Sequence, residues 1–233
     1  MGFTKVAENK YEKAKQKNID NGRGLERVLA AINKVSDNYL TDVWLSIIKQ
    51  IEKLSGKKYN KEIGETRAMR IIADHIKASA FIIADGVIPS NTERGYVLRR
   101  LIRRAIRHGL LLGIKENFTS KLLEPIIKIY PDYKEIKEHK NKIELELDKE
   151  EEKFRATLEI GIKIFNKIAS ENKKIDCKDA FLLYQSYGFP LEITKELAKE
   201  KNIEIDEKGF EKECQIHQEL SRTASAGVFK SGL

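Results

Sequence analysis

The chain has 233 residues, of which 41% are hydrophobic and 34% charged, with 14 glycines and four prolines. This composition is typical of a soluble helical protein and argues against a fibrous repeat or a chain dominated by disorder. The formal net charge of +8 favours an acidic partner without identifying one.

Cysteine, histidine and hydropathy patterns narrow the class of protein further. Cys177 and Cys214 form no C-x-x-C pair, and the four histidines lack the spacing of metal ligands. We therefore expect reduced thiols, a cytoplasmic location and no metal ligated by this chain. The sequence shows no signal-peptide pattern and no apolar run of the roughly 20 residues that a membrane span requires, so we expect no membrane partner.

Hydrophobic periodicity predicts a mainly α fold, with weak strand patterns confined to the first twenty residues. Caps and glycine or proline breaks divide the remainder into helices. A third predicted helix begins at Thr66, long helices lie between 134 and 172, and a short buried element is predicted at Phe181–Tyr184. The other predicted helices are 24–35, 42–55, 95–109, 121–129, 191–201 and 207–222.

The first motif with chemical content is DNGRGLER at 20–27, at a predicted strand-to-helix junction. Gly22 and Gly24 allow the backbone to approach a ligand closely, and a helix N-terminus favours an anion. Arg27 lies one turn into the helix, within reach of a phosphate. The same pattern also suits a simple glycine turn before an amphipathic helix.

The second motif is an arginine helix that contains six arginines and no acid between residues 94 and 109. Spacing predicts a stripe of Leu98, Leu101, Ile102 and Ala105, with arginines on both flanks. Like charges four residues apart repel, so the helix requires anions. These are either protein carboxylates or nucleic-acid phosphates, which arginine binds through its planar fork. One flank is predicted to hold Arg99, Arg103 and Arg107 and the next Arg100 and Arg104, with Arg94 near the start.

A histidine beside an acid, Asp74-His75, lies on the third predicted helix. This pair suggests acid–base chemistry, but no nucleophile is near in sequence. A hydrogen-bonded structural histidine is the better interpretation.

Several stretches together resemble the alanyl-tRNA synthetase family, which comprises class II, ATP-dependent aminoacyl-tRNA ligases. DNGRGLER resembles class II motif 3. The other matching stretches occur in the family's order: RIIADHIK at 70–77, ADGVIPSN at 84–91, RGYVLRRLIRR at 94–104, EEKFRATL at 151–158, LYQSYGFP at 183–190 and FKSGL at 229–233.

The resemblance implies roles for particular residues. Asp20, Gly22 and Gly24 would bind the alanine or ATP substrate, and Arg27, the one implied catalytic residue, would stabilise the ATP phosphates. Asn91 would read the G·U wobble pair of the tRNA(Ala) acceptor stem. Gln185 stands where the family usually has Asp as second reader of that pair. The arginines implied to bind the stem are Arg94, Arg99, Arg100, Arg103, Arg104 and Arg107.

The resemblance also implies a division of the chain. Residues 1–35 would be the C-terminal remnant of a class II catalytic domain, 36–222 a helical tRNA-recognition domain, and 223–233 a truncated linker toward an editing domain. Motifs 1 and 2 of class II enzymes have no match, so ATP and Mg²⁺ belong to the parent enzyme and we expect this chain alone to be inactive. The alternatives are a stand-alone, non-catalytic RNA-binding module and, third, a scaffold whose arginines pair only with its own acids.

Overall fold

The computed structural model describes residues 3–16, 22–171 and 174–216. Helices dominate these ranges, and their strands form two short pairs, which confirms the predicted mainly α class. The second pair joins residues 174–175 to 204–205, so the prediction that strands are confined to the first twenty residues is wrong. Backbone contacts divide the chain into two compact units, Met1–Leu45 and Ser46–Leu233. The predicted domain boundary after residue 35 stays a prediction. Within the described ranges, no helix is long and apolar enough to cross a membrane.

The first unit contains a β-hairpin and a short helix. Strand β1 (Phe3–Ala7) pairs antiparallel with β2 (Lys10–Lys13), with a bulge between Lys5 and Ala7. Helix α1 (Leu25–Ile32) is amphipathic, yet its apolar residues Leu25 and Ile32 are 68% and 71% exposed. Among the described residues of this unit, the buried ones are Ala30, Thr41 and Trp44. The hydrophobic pattern of α1 thus predicts a covering layer that the described residues of its own unit do not supply.

The second unit is a bundle of helices joined by short loops. Two-residue strands β3 (Lys174–Ile175) and β4 (Glu204–Ile205) pair in parallel near its end, and residues 207–216 are helical. The helices are α2 (Asp42–Ser55), which begins before the division, α3 (Ile63–Ala84), α4 (Glu93–Leu111), α5 (Leu123–Ile129), α6 (Lys134–Glu138), α7 (Lys140–Glu171), α8 (Cys177–Tyr187) and α9 (Leu191–Glu200).

The core of the second unit lies where α3, α4 and α7 pack together, with α8 also packed on α7. α4 buries the predicted Leu98, Ile102 and Ala105, whereas Leu101 is only half-buried. Each Ile, Leu or Phe buried here contributes about 1.5–3 kcal/mol through the hydrophobic effect. On α7 the predicted stripe is buried at Ile143, Leu147, Phe154, Leu158 and Phe165.

Several helix ends differ by two or three residues from the sequence prediction, and three differences change how an element is described. α3 begins at Ile63 with Glu62 as its N-cap, so Thr66 lies inside the helix. The Thr66 hydroxyl accepts from the Asn60 N–H at 3.1 Å and thereby stabilises the preceding loop. The predicted long helices divide at His139, between α6 and α7. The short element at Phe181–Tyr184 is part of α8, since Asp176 caps that helix by accepting from the Asp179 N–H at 2.8 Å.

The EEKFRATL motif has a structural role at the α4–α5 connection. Glu151 is fully buried, and its Oε2 accepts from the backbone N–H groups of Phe118 and Thr119 at 3.0 and 2.9 Å. Arg155 donates to the other carboxylate oxygen and to the carbonyl of Glu116, both at 2.8 Å. This paired carboxylate therefore fixes the loop against α7.

Candidate nucleic-acid interface

α4 carries the six arginines, and burial of its apolar stripe directs them to two flanks. The contacts divide them differently from the prediction. Arg107 faces α9 together with Arg100 and Arg104, and it shares Glu196 with Arg104, because spacings of three and seven residues also return to one helix face. Arg99 and Arg103 form the other flank and share a different partner.

The flank that includes Arg107 meets three glutamates of α9, which occupy successive turns of that helix. Arg107 is the most buried of its arginines, with 2% of its side chain exposed, and it donates to Glu196 at 2.9 Å and Glu200 at 2.6 Å. A buried guanidinium requires such partners, because removing one leaves an uncompensated charge. The other pairs are Arg100 to Glu192 at 2.6 Å and Arg104 to Glu196 at 2.7 Å.

Ionisation of this cluster follows from its surroundings. Burial disfavours the charged form of Glu196, but the neighbouring His108 and Arg104 outweigh burial and hold the pKa of that carboxyl at about 2. Burial lowers the pKa of His108, against the opposing effect of Glu196.

The Asp74-His75 pair joins the same network, in accordance with the structural interpretation. Nδ1 of His75 lies 3.0 Å from Asp74 Oδ2, and Nε2 lies 3.0 Å from Arg104 Nη1. Because an arginine can only donate, Nε2 must accept and Nδ1 must carry the proton given to Asp74. The hydrogen bond from His75 accordingly lowers the pKa of Asp74.

The other flank of α4 converges on Glu150 of α7, a buried carboxylate. Arg103 Nε donates to Glu150 Oε1 at 2.6 Å, and Arg99 Nε lies 3.4 Å from the same oxygen. Arg103 also donates to the carbonyl of Gly188 at 2.5 Å and stacks over the Phe154 ring, 5.0 Å from its centroid. Burial lowers the pKa of Arg103, and Glu150 opposes that shift.

The N-terminal end of α4 is the part of the arginine helix that is open to solvent. Asn91 and Arg94 are both exposed, and Asn91 Oδ1 accepts a hydrogen bond from Arg99. The loop before them is fixed, because the Ser90 N–H donates to the Gly95 carbonyl at 3.1 Å and its hydroxyl to the Thr92 carbonyl at 3.0 Å. This end combines an ordered amide with cationic side chains, the groups that contact base edges and phosphates.

Gln185 lies exposed in the last turns of α8. The preceding residue, Tyr184, packs against Tyr96 of α4 with ring centroids 6.4 Å apart. Burial raises the pKa of Tyr184, and the positive charges of Arg99 and Arg103 oppose that shift. The direct contact between this flank and the end of α8 is the hydrogen bond from Arg103 to the Gly188 carbonyl.

Sequence reasoning missed the acidic partners of the arginine helix. Glu192, Glu196 and Glu200 recur every four residues on α9, a signal that matches the arginine spacing and is present in the sequence. Glu150 had no such signal, because it lies in a run of acids that resembles a solvated face.

The predicted substrate-binding residues lie in the first unit. Gly22, Gly24 and Arg27 are exposed, and Gly24 is the N-cap of α1 with no side-chain cap hydrogen bond. A helix that starts on glycine can present its first N–H groups to an anion, so Gly24 and Arg27 suit a phosphate. Asp20 lies outside the described residues. Within the described ranges, no group of three or more His, Cys, Asp and Glu side chains is arranged to hold a metal ion.

Comparison with known proteins adds an independent observation. The model of a family described as tRNA synthetases class II (A) matches residues 1–231 of the chain. The chain is also 45% identical to an alanine–tRNA ligase of Thermotoga maritima, in an alignment covering 95% of the chain and 26% of that relative. It is 45% identical to an alanine–tRNA ligase of Borrelia hermsii, across 100% of the chain and 40% of the relative. The chain thus spans between about a quarter and two fifths of these relatives.

Proposed function

The chain belongs to the family of tRNA synthetases class II (A), and from that premise we propose that it is part of an alanine–tRNA ligase. In the proposed parent enzyme, alanine is activated with ATP and Mg²⁺ and then esterified to the 3′ end of tRNA(Ala). This chain contributes motif 3 and the recognition of the acceptor stem. The similarity to alanine–tRNA ligases of two different bacteria supports this assignment.

The observation that carries the recognition role is the end of α4 around Asn91. An exposed amide is held there by Arg99, and Arg94 is exposed three residues beyond it. Because Arg99 donates to Asn91 Oδ1, the Asn91 NH₂ group is the part left to contact a base. We propose that Asn91 and Gln185 read the G·U pair of the stem while Arg94, Arg99 and Arg100 bind its phosphates.

The remaining arginines, Arg103, Arg104 and Arg107, contribute less to RNA binding in this proposal. Arg103 donates to Glu150 and to the Gly188 carbonyl, and Arg107 is buried against Glu196 and Glu200. These groups, together with Arg104, hold the bundle that presents the open end of α4. The scaffold alternative accounts for these pairs, but it assigns no role to the exposed Arg94.

The described residues would supply only some of the groups needed to activate alanine with ATP. Arg27 would neutralise charge developing on the ATP phosphates, and Gly24 would let the start of α1 approach them. Asp20 and Gly22 would contact the alanine substrate. Mg²⁺ would be held by parts of the parent enzyme other than the described residues.

The test is the affinity of the chain for two hairpin RNAs that reproduce the acceptor stem, one with G·U and one with G·C at the recognised position. Replacing Asn91 with Ala should weaken binding of the G·U hairpin by about 1–3 kcal/mol and leave the G·C hairpin nearly unaffected. The change removes a base-specific contact and keeps every arginine proposed to bind phosphate, so any effect on Arg99, the hydrogen-bond partner of Asn91, should be common to both hairpins. Equal losses for both hairpins would mean that Asn91 supports its loop and reads no base.

A further inference from the structure

The two proposed base-reading segments are linked through a residue that touches neither. Glu150, 3% exposed, lies on α7 beneath the N-terminal half of α4. Two arginines of α4 approach one oxygen of this carboxylate. Nε of Arg103 lies 2.6 Å from it, and Nε of Arg99 lies 3.4 Å from it. Each of these arginines contacts a different one of the two segments.

On one side, Arg99 reaches the loop before α4. Its Nη1 donates to the Asn91 side chain. Its Nε lies 3.4 Å from the Glu150 oxygen without a hydrogen bond, so charge attraction holds that end, while Nη1 of the same planar group donates to the amide. The orientation of the Asn91 amide is therefore tied to the position of Glu150.

On the other side, Arg103 reaches the turn that ends α8. Its Nη1 donates to the carbonyl of Gly188 at 2.5 Å, three residues beyond Gln185. α7 reinforces this turn, since the Thr157 hydroxyl donates to the Tyr187 carbonyl at 2.9 Å. The end of α8, and with it Gln185, is thus held to the same helix as Asn91.

We propose that Glu150 is a positioning residue for base reading, which sets the separation between the Asn91 loop and the end of α8 through Arg99 and Arg103. This inference rests on the proposed function. A carboxylate is required because one buried oxygen must attract two guanidinium groups that otherwise repel each other. A neutral amide oxygen can still accept hydrogen bonds, but it carries no charge to offset the repulsion between two guanidinium groups, so the two arginines should separate and the spacing should loosen.

The experiment compares Glu150→Gln with the wild-type chain, using the G·U and G·C hairpins. Glu152→Gln is the matched control, because it removes the same charge from an exposed position on the same helix. We expect Glu150→Gln to reduce the ratio of G·U to G·C affinity about fivefold or more while general RNA binding persists. The control should keep the wild-type ratio, and Glu150→Asp, which restores the charge, should recover part of it.

Hydrogen exchange of the RNA-free proteins supplies a second readout that does not depend on RNA. Glu150→Gln should raise exchange in both segments, 88–94 and 186–189, whereas Glu152→Gln should raise it in neither. An unchanged affinity ratio, or faster exchange spread evenly through the bundle, would overturn the positioning role.

The affinities of the wild-type chain for the two hairpins distinguish a failure of the proposed base reading from a failure of the positioning role. A wild-type chain that binds both hairpins equally contradicts the proposed base reading, and the exchange data then decide whether Glu150 couples the two segments. If the wild-type chain prefers G·U and Glu150→Gln retains that preference, the proposed function stands and the positioning role is wrong.

Discussion

Buried ionised side chains dominate the chemistry of this protein at the scale of single residues. Glu196 accepts from both Arg104 and Arg107, so one carboxylate compensates two guanidinium groups. With its pKa held at about 2, well below the ordinary value, Glu196 stabilises the folded state only while it is ionised. Its contribution is complete above the unfolded-state pKa of about 4.5 and is lost as the pH falls toward 2.

A pH series of unfolding measurements tests this prediction. Between pH 6 and pH 3, the wild-type free energy of unfolding should fall on the order of 2 kcal/mol further than that of Glu196→Gln, which has no such group to protonate. At pH 7 the same variant should lose about 2–4 kcal/mol, because buried Arg107 keeps only Glu200. Chemical denaturation at each pH gives both quantities.

The control lies one turn earlier on the same helix. Glu192 pairs with Arg100, whose side chain is 36% exposed, so solvent screens this pair. Glu192→Gln should therefore change the free energy of unfolding by less than about 1 kcal/mol. Parallel pH profiles for wild type and Glu196→Gln would contradict the account of Glu196.

At the scale of elements, the junction between α8 and α9 shows how backbone conformation and side-chain packing combine. Gly188 ends α8 in the left-handed region, at φ 65°, and the N–H of Phe189 bonds back to the Leu183 carbonyl at 3.1 Å. A Cβ on Gly188 would also collide with the Arg103 guanidinium. The turn therefore needs glycine for two independent reasons.

Gly188→Ala should consequently destabilise the chain more than the same change at Gly113. Gly113 also has positive φ, at 85°, but a methyl group added there would meet no atom within 4 Å. Gly113→Ala should cost about 1–2 kcal/mol from backbone strain alone, and Gly188→Ala about 1–2 kcal/mol more from displacing Arg103. Urea denaturation of both variants measures the difference. Equal losses would mean that Arg103 does not constrain the turn.

Helices and their buried stripes could be predicted from the sequence because periodicity reports directly on burial. The apolar positions of α7 from Ile143 to Phe165 illustrate this. Element boundaries were less accessible where a side chain acts away from its own helix, as the Thr66 hydroxyl does toward Asn60. Candidate site residues could be named from motifs, but the partners of Arg103 and Arg107 come from helices 47 to 93 residues away. No local pattern gives such pairings.

At the scale of the whole molecule, ion pairs with glutamates offset the charge of several arginines of α4. The net charge is +8, yet carboxylates of α7 and α9 accept from Arg100, Arg103, Arg104 and Arg107. The arginine helix thus presents exposed charge at its N-terminal end, at Arg94, next to the exposed amide of Asn91. A ligand with regularly spaced phosphates would meet that end of α4.

The salt dependence of binding to the G·U acceptor-stem hairpin tests the central claim, recognition of RNA by this end of α4, most directly. With a few arginines releasing counterions, a plot of log affinity against log salt concentration should have a slope on the order of −2 to −4. Arg94→Gln should reduce the steepness by about one, because it removes one phosphate contact. A flat salt response, or no binding of the hairpin at low salt, would contradict the account and leave the arginines with a purely structural role.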